Sequence, residues 1–78
     1  MKLNELTVGE RGLVVKIETD RTLWSRITSL GLRIGSQVEM FQNFPSYIIK
    51  VNGLIKIALK RNIAQHILVD YTKELIYK

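Results

Sequence analysis

Side chains able to perform acid–base or metal chemistry are few and scattered along this 78-residue chain. It has no cysteine and a single histidine, His66, which excludes a thiol nucleophile and thiolate metal sites. A lone histidine in a short helical turn is more typical of a surface or capping residue than of a metal ligand. The acidic residues show no paired spacing suited to general acid–base catalysis. We therefore predict no enzymatic activity, no metal site and no cofactor.

Residue types suited to binding concentrate in the segment 23–35. Trp24 and Arg26 lie at the edge of the apolar face of a predicted helix, and Leu32 and Arg33 follow in the next turn. An arginine beside an exposed aromatic residue is common at protein interfaces. We predict that these four residues contact a partner, while solvated arginines over a buried apolar face remain the alternative interpretation.

A second candidate contact lies in the loop Phe44-Pro45-Ser46-Tyr47. Loops on small rigid domains often carry function, so Phe44 and Tyr47 are predicted partner contacts. The same aromatic side chains could equally close one end of the core, and the sequence leaves both interpretations open.

A short helix must position Trp24 and Arg26. The apolar residues that recur at helical spacing are Leu23, Trp24, Ile27 and Leu30. Residues 19–22 offer hydroxyl and carboxylate groups that can cap the helix N-terminus. Gly31 stands where a helix ends in the left-handed conformation, and Gly35 turns the chain into the next strand.

Alternating hydrophobicity predicts the strands that must hold this helix. The predicted strands cover residues 12–18, 36–41, 47–51, 54–59 and 67–69. In the first of them we expect Leu13, Val15 and Ile17 to face the core. Asn52 and Gly53 form the dipeptide that type I′ turns favour, and they lie between two apolar runs, which predicts a hairpin.

These elements predict a mainly β protein with one short helix inserted after the first strand. Closing the edges of so small a sheet favours a partly open antiparallel barrel. We assign residues 1–70 to this domain and residues 71–78 to a C-terminal tail.

Charge and hydropathy restrict the environment and the partners. The net charge is +5, but the basic residues are spread from Lys2 to Lys78, which is typical of a solvated surface rather than a nucleic-acid-binding stripe. We expect no nucleic acid, and a small basic barrel that binds nucleic acid is the alternative. No apolar run reaches the length of a membrane helix, and Glu5 interrupts any leader-like stretch. We expect a cytoplasmic protein without membrane insertion.

Over residues 3–69 the chain resembles the ferrous iron transport protein A family, the FeoA domain. The residues that carry the similarity are Leu3, Leu6, Gly9, Val14, Ile17, Arg26, Leu30, Gly31, Gly35, Val38, Ala58, Leu59, Ala64, Ile67 and Val69. The resemblance implies an SH3-like β-barrel in its stand-alone form. It also implies a cytoplasmic accessory of bacterial ferrous iron uptake that binds and regulates the GTPase-containing cytoplasmic part of the transporter FeoB.

The chain departs from the family pattern at two places. Members commonly carry a Gly-Asp-Pro-like loop between the middle strands, whereas Asn43–Ser46 keeps only Pro45. A glutamate often precedes the alanine of the last helical turn, and here that residue is Ile63. A role that the family ties to this loop therefore does not carry over to this chain from the resemblance, and the tail lies outside the pattern.

Overall fold

Five antiparallel strands form one sheet in the computed structural model, which describes residues 1–72. The strands are β1 (Arg11–Ile17), β2 (Gln37–Gln42), β3 (Tyr47–Val51), β4 (Ile55–Leu59) and β5 (Ile67–Thr72). Their order in the sheet is β4-β3-β2-β1-β5, so β4 and β5 are its edges and the barrel is not closed. Helix α1 (Arg21–Ser29) follows β1, and the single turn α2 (Arg61–Ala64) precedes β5. The predicted architecture is confirmed.

A single hydrophobic core fills the concave side of the sheet. It receives side chains from every strand, from α1 and α2, and from a 3-10 turn at Leu3–Glu5. The fully buried larger side chains are Leu3, Leu6, Val14, Ile27, Leu32, Val38, Met40, Ile49, Val51, Ile67 and Val69. This core fixes the position of α1 against the sheet, because an isolated nine-residue helix is not stable in water.

The inward-facing residues of β1 differ from the predicted alternation. Val14 and Ile17 are buried, while Leu13 and Val15 are partly exposed to solvent. The pairing register between β1 and β5 shifts between Val14 and Lys16. This irregularity inserts one residue into β1 and reverses the facing of the residues before it, so only Ile17 of the predicted set points inward.

The hairpin between β3 and β4 forms at the predicted dipeptide. Asn52 and Gly53 both have positive φ, 52° and 71°, as a type I′ turn requires. The Leu54 N–H donates to the Val51 carbonyl at 3.0 Å, and β4 begins one residue later than predicted. The Asn52 side chain also accepts a hydrogen bond from the Gln37 N–H at 2.9 Å, which ties the turn to β2.

The two edges of the sheet have different surroundings. The N-terminal residues cover part of β5: the Val69 N–H donates to the Met1 carbonyl at 2.7 Å, and Lys2 forms a bridge with Leu68. In residues 1–72, β4 pairs only with β3. Strand β5 continues to Thr72, past the predicted domain boundary, and the rest of the predicted tail lies outside the described residues.

Candidate partner-binding groove

Helix α1 begins and ends at the residues that the sequence indicated. The Asp20 carboxylate accepts a hydrogen bond from the Leu23 N–H at 2.8 Å and caps the first turn. At the other end Gly31 adopts a φ of 103°, and its N–H donates to the Thr28 carbonyl at 3.0 Å. This geometry ends the helix at a defined point and starts a tight turn.

Hydrogen bonds join the turn after α1 to β1 and also link residues within the turn. The Arg33 N–H donates to the Ser36 hydroxyl oxygen at 3.0 Å, and the Ser36 N–H returns a bond to the Arg33 carbonyl at 2.9 Å. The Gly35 N–H donates to the Val14 carbonyl at 2.7 Å. Leu32 inserts its side chain into the core. The turn therefore presents Arg33 at a fixed place beside the helix.

An open groove of about 560 Å³ lies between α1 and this turn. Its lining residues are Ile17, Trp24, Ser25, Thr28, Ser29, Arg33 and Ile34. Trp24 remains 45% exposed and Ile34 65% exposed, although both are large apolar side chains. The Trp24 indole and the Ile34 side chain lie beside the Arg33 guanidinium. This arrangement can bind a partner segment in which an apolar side chain stands next to a carboxylate.

The structure separates Arg26 from Trp24. A step of two residues along an α-helix corresponds to a rotation of about 200°, so the side chains of Trp24 and Arg26 leave α1 on opposite sides. Arg26 lines a different depression of about 170 Å³, together with Leu30 and Ile63. The arginine beside the exposed tryptophan is therefore Arg33, and the predicted pairing of Trp24 with Arg26 needs this correction.

Two other predicted contact residues lie in the core rather than at the surface. Leu32 is fully buried, and Tyr47 is 7% exposed with the Arg61 guanidinium 5.7 Å from its ring. The inward-facing register of β3 and the turn after Gly31 impose this burial. Phe44 is 81% exposed at the tip of the β2–β3 loop, but it does not line the groove.

Ile34 and Thr28 are groove residues that the sequence interpretation missed. Ile34 lies between Arg33 and Gly35 in a turn. It is outside the strands, so their alternating pattern does not explain an aliphatic residue at this position. That mismatch is a signal that could have identified it. Thr28 gives no such signal, because a threonine on a helix surface needs no special explanation.

The histidine has a structural role. Its Nδ1 lies 3.0 Å from the Glu18 carbonyl oxygen, and its backbone carbonyl accepts from the Glu18 N–H at 2.8 Å. His66 thus helps to join the end of β1 to β5. Over residues 1–72, no group of three or more histidine, cysteine, aspartate or glutamate residues is placed to hold a metal ion.

One carboxylate has a shifted pKa. The Thr7 N–H donates to Glu10 at 2.7 Å, and this bond is the main cause that lowers the pKa of Glu10 below its usual range. The Thr7 and Tyr71 hydroxyls act in the same direction. Glu10 lies outside the groove, and its bonds fix the segment that leads into β1.

The bent five-stranded sheet, with a helix after its first strand, defines a small SH3-like domain. The family model of the FeoA domain matches residues 1–71. The chain belongs to the FeoA domain family, as its sequence resemblance implied. No curated protein sequence matches it.

Solved structures of FeoA proteins share this fold. An iron uptake regulatory protein, FeoA, superposes with a TM-score of 0.85 at 25% identity, covering 92% of this chain and 96% of that one. FeoA from Chlorobium tepidum superposes with a TM-score of 0.82 at 28% identity, covering 94% of this chain and 71% of that one. FeoA from Stenotrophomonas maltophilia, in complex with zinc, superposes with a TM-score of 0.76 at 25% identity, covering 90% of this chain and 89% of that one. That protein is described as an SH3 domain protein and a candidate activating factor of bacterial ferrous iron transport. Within the described residues of our chain, no helix is long and apolar enough to cross a membrane.

Proposed function

We propose that this chain is a non-enzymatic, cytoplasmic accessory protein of bacterial ferrous iron uptake. Its partner is the GTPase-containing cytoplasmic domain of the transporter FeoB, and binding regulates that domain. Family membership supports the link to ferrous iron transport. The observation that most strongly supports partner binding is the groove in which Trp24 and Ile34 stay exposed beside Arg33.

The groove has the composition of a protein-binding site. Leaving large apolar side chains in water is unfavourable by roughly 25 cal/mol per Å² of exposed apolar area, and a docked partner removes this cost. Arg33 stands at the rim, where a bidentate bond to a carboxylate can orient the partner. Trp24 is the expected main contact, because tryptophan and arginine dominate interface energetics.

A titration of isotope-labelled protein with the purified FeoB cytoplasmic domain tests the proposal. We expect amide NMR shifts to cluster on residues 17–36. Trp24→Ala should weaken binding at least ~10-fold, which corresponds to about 1.4 kcal/mol. Phe41→Ala is the matched control, since Phe41 is a similarly exposed aromatic residue on β2 that does not line the groove. Equal affinities of the two variants, or no shifts at high partner concentration, would contradict the proposal.

Arg26 and Phe44 remain proposed additional contacts. They lie outside the groove, so they reach the same partner only if it extends around α1 or to the β2–β3 loop. Arg26→Ala and Phe44→Ala should each leave stability unchanged, because both side chains are exposed. Wild-type affinity for either variant in calorimetry would remove that residue from the interface and leave the groove proposal intact.

A further inference from the structure

Strand β4 has an edge that pairs with no other strand in the described part of the chain. Alternate N–H and C=O groups of an edge strand point outward and can pair with another strand. The opposite edge, β5, is partly covered by Met1 and Lys2, whereas β4 pairs only with β3 in an uninterrupted register. Neither a proline nor a bulge protects β4, and the ammonium of its Lys56 lies 3.8 Å from the Phe41 ring centroid.

An apolar seam runs beside this edge, between β4 and α1. Its residues are partly buried or exposed aliphatic side chains: Leu23, Leu30, Ile55, Ile57 and Ile63. Leu23, Leu30 and Ile63 share the depression of about 170 Å³ next to Arg26. A Cβ atom placed on Gly31 would lie 3.6 Å from Ile55 Cδ1, which connects the end of α1 to β4. The end of α1 and the first residue of β4 are therefore neighbours, and the depression lies close to the strand edge.

The elements beside the seam carry positive charge only. Helix α1 contains two basic side chains, residues 55–64 contain three, and neither segment contains an acidic side chain. Arg26 lines the depression, and Lys60 follows β4 directly. A second copy of this chain would place the same positive surface against itself, which is unfavourable. The charge complements an acidic segment.

We propose that the edge of β4 binds an extended, acidic segment of a partner protein, which adds to the sheet as a further antiparallel or parallel strand. Main-chain hydrogen bonds to β4 supply affinity, and alternate side chains of the segment meet the seam on one face. Carboxylates of the segment lie near Arg26 and Lys60. This surface is on the opposite side of α1 from the Trp24 groove, so its test does not depend on the groove. Arg26 is the one residue that it shares with the additional contacts proposed above.

A synthetic peptide provides the test. The probe is an eight-residue peptide in which glutamate alternates with valine, titrated into the full-length labelled protein. We expect amide shifts on residues 54–60, slower hydrogen exchange of β4 amides and a dissociation constant below ~1 mM. Two further peptides carry N-methyl groups on one or the other set of alternate amides. One of them should bind and the other should not, because only one set faces the strand edge.

Charge variants test the contribution of Arg26. Arg26→Glu should weaken peptide binding at least ~5-fold, because it reverses the charge beside the seam. Lys2→Glu is the matched control, since it changes the net charge equally at the β5 edge and should alter affinity less than ~2-fold. A lysine–valine peptide should bind more weakly than the glutamate–valine peptide.

Four outcomes of the peptide titrations would overturn the proposal. They are no shifts at ~2 mM peptide, shifts confined to the Trp24 groove or to β5, equal binding of both N-methylated peptides, and equal effects of Arg26→Glu and Lys2→Glu. If the β4 shifts instead grow with protein concentration in the absence of peptide, the occupant of the edge is a second copy of this chain. That result would also overturn the proposal.

Discussion

Gly31 adopts a backbone conformation that other residues resist, at the junction between α1 and the groove turn. Its φ of 103° is unfavourable for a residue with a Cβ atom, while the space around it allows an ordinary van der Waals contact. We expect Gly31→Ala to lower the free energy of unfolding by about 1 kcal/mol, and Gly31→Val to lower it further. Gly31→Asn should cost less than Gly31→Ala, because asparagine tolerates positive φ better. Urea unfolding measures all three, and an unchanged midpoint for Gly31→Ala would contradict the explanation.

Glu10 should make the stability of the folded protein depend on pH. Its pKa is lowered in the folded state by the Thr7 N–H, so folding favours the ionised form. This stabilisation is complete above the pKa of the unfolded chain and is lost as the pH falls through the lowered value. Between pH ~5 and ~3, Glu10→Gln should lose less unfolding free energy than the wild type. Superimposable pH profiles of urea midpoints would show that Glu10 does not contribute.

At the scale of single elements, the N-cap of α1 determines how firmly Trp24 is held. Asp20 accepts from the Leu23 N–H, and its carbonyl accepts from the Trp24 N–H at 2.9 Å. Asp20→Ala should lower the free energy of unfolding by about 1 kcal/mol. Asp20→Asn is the matched control, since it keeps an acceptor oxygen and should stay within a few tenths of a kcal/mol of the wild type. A similar loss in both variants would assign the effect to charge rather than to capping.

Elements whose signals are local in sequence could be predicted. The cap at Asp20, the helix end at Gly31 and the turn at Asn52 each depend on conformational preferences within a few residues. The facing of β1 could not be predicted, because the irregularity near Val15 arises from pairing with β5, some 50 residues further along the chain. The cover of β5 by Met1 and Lys2 is equally non-local.

The candidate site was predicted only in part for the same reason. Trp24 and Arg33 were both identified, but their common groove depends on how the turn after Gly31 is bonded to β1. The position of Leu32 in the sequence, directly after Gly31, suggested a contact residue, and only the tertiary fold shows that its side chain fills the core. Exposure of an apolar side chain is thus a property of packing that spacing along the sequence does not determine.

At the scale of the whole molecule, a domain of this length has a small free energy of unfolding, so one core substitution can remove much of it. A 78-residue domain buries a smaller share of its surface than larger proteins do, and unfolding free energies of about 5–15 kcal/mol are typical. Ile49 is fully buried in β3, the strand between β2 and β4. Ile49→Ala should lower the free energy of unfolding by roughly 2–5 kcal/mol and Ile49→Val by about 1 kcal/mol. Thermal unfolding followed by circular dichroism checks this order, and equal midpoints would show a core that adjusts to the cavity.

The charge distribution also concerns the whole molecule. Basic residues outnumber acidic ones in residues 21–64, so an acidic partner of either proposed surface should be attracted before contact. Salt should therefore slow association at both surfaces more than it speeds dissociation.

Trp24 is the single tryptophan of the chain, and it is already half exposed in the folded protein. Its fluorescence is therefore an intrinsic reporter of the groove, with no other indole contributing to the emission. A partner that docks in the groove removes water from the indole ring and should shift the emission to shorter wavelength, whereas a strand added at β4 should leave the spectrum unchanged. The chain thus provides its own optical signal for distinguishing occupation of its two candidate binding surfaces.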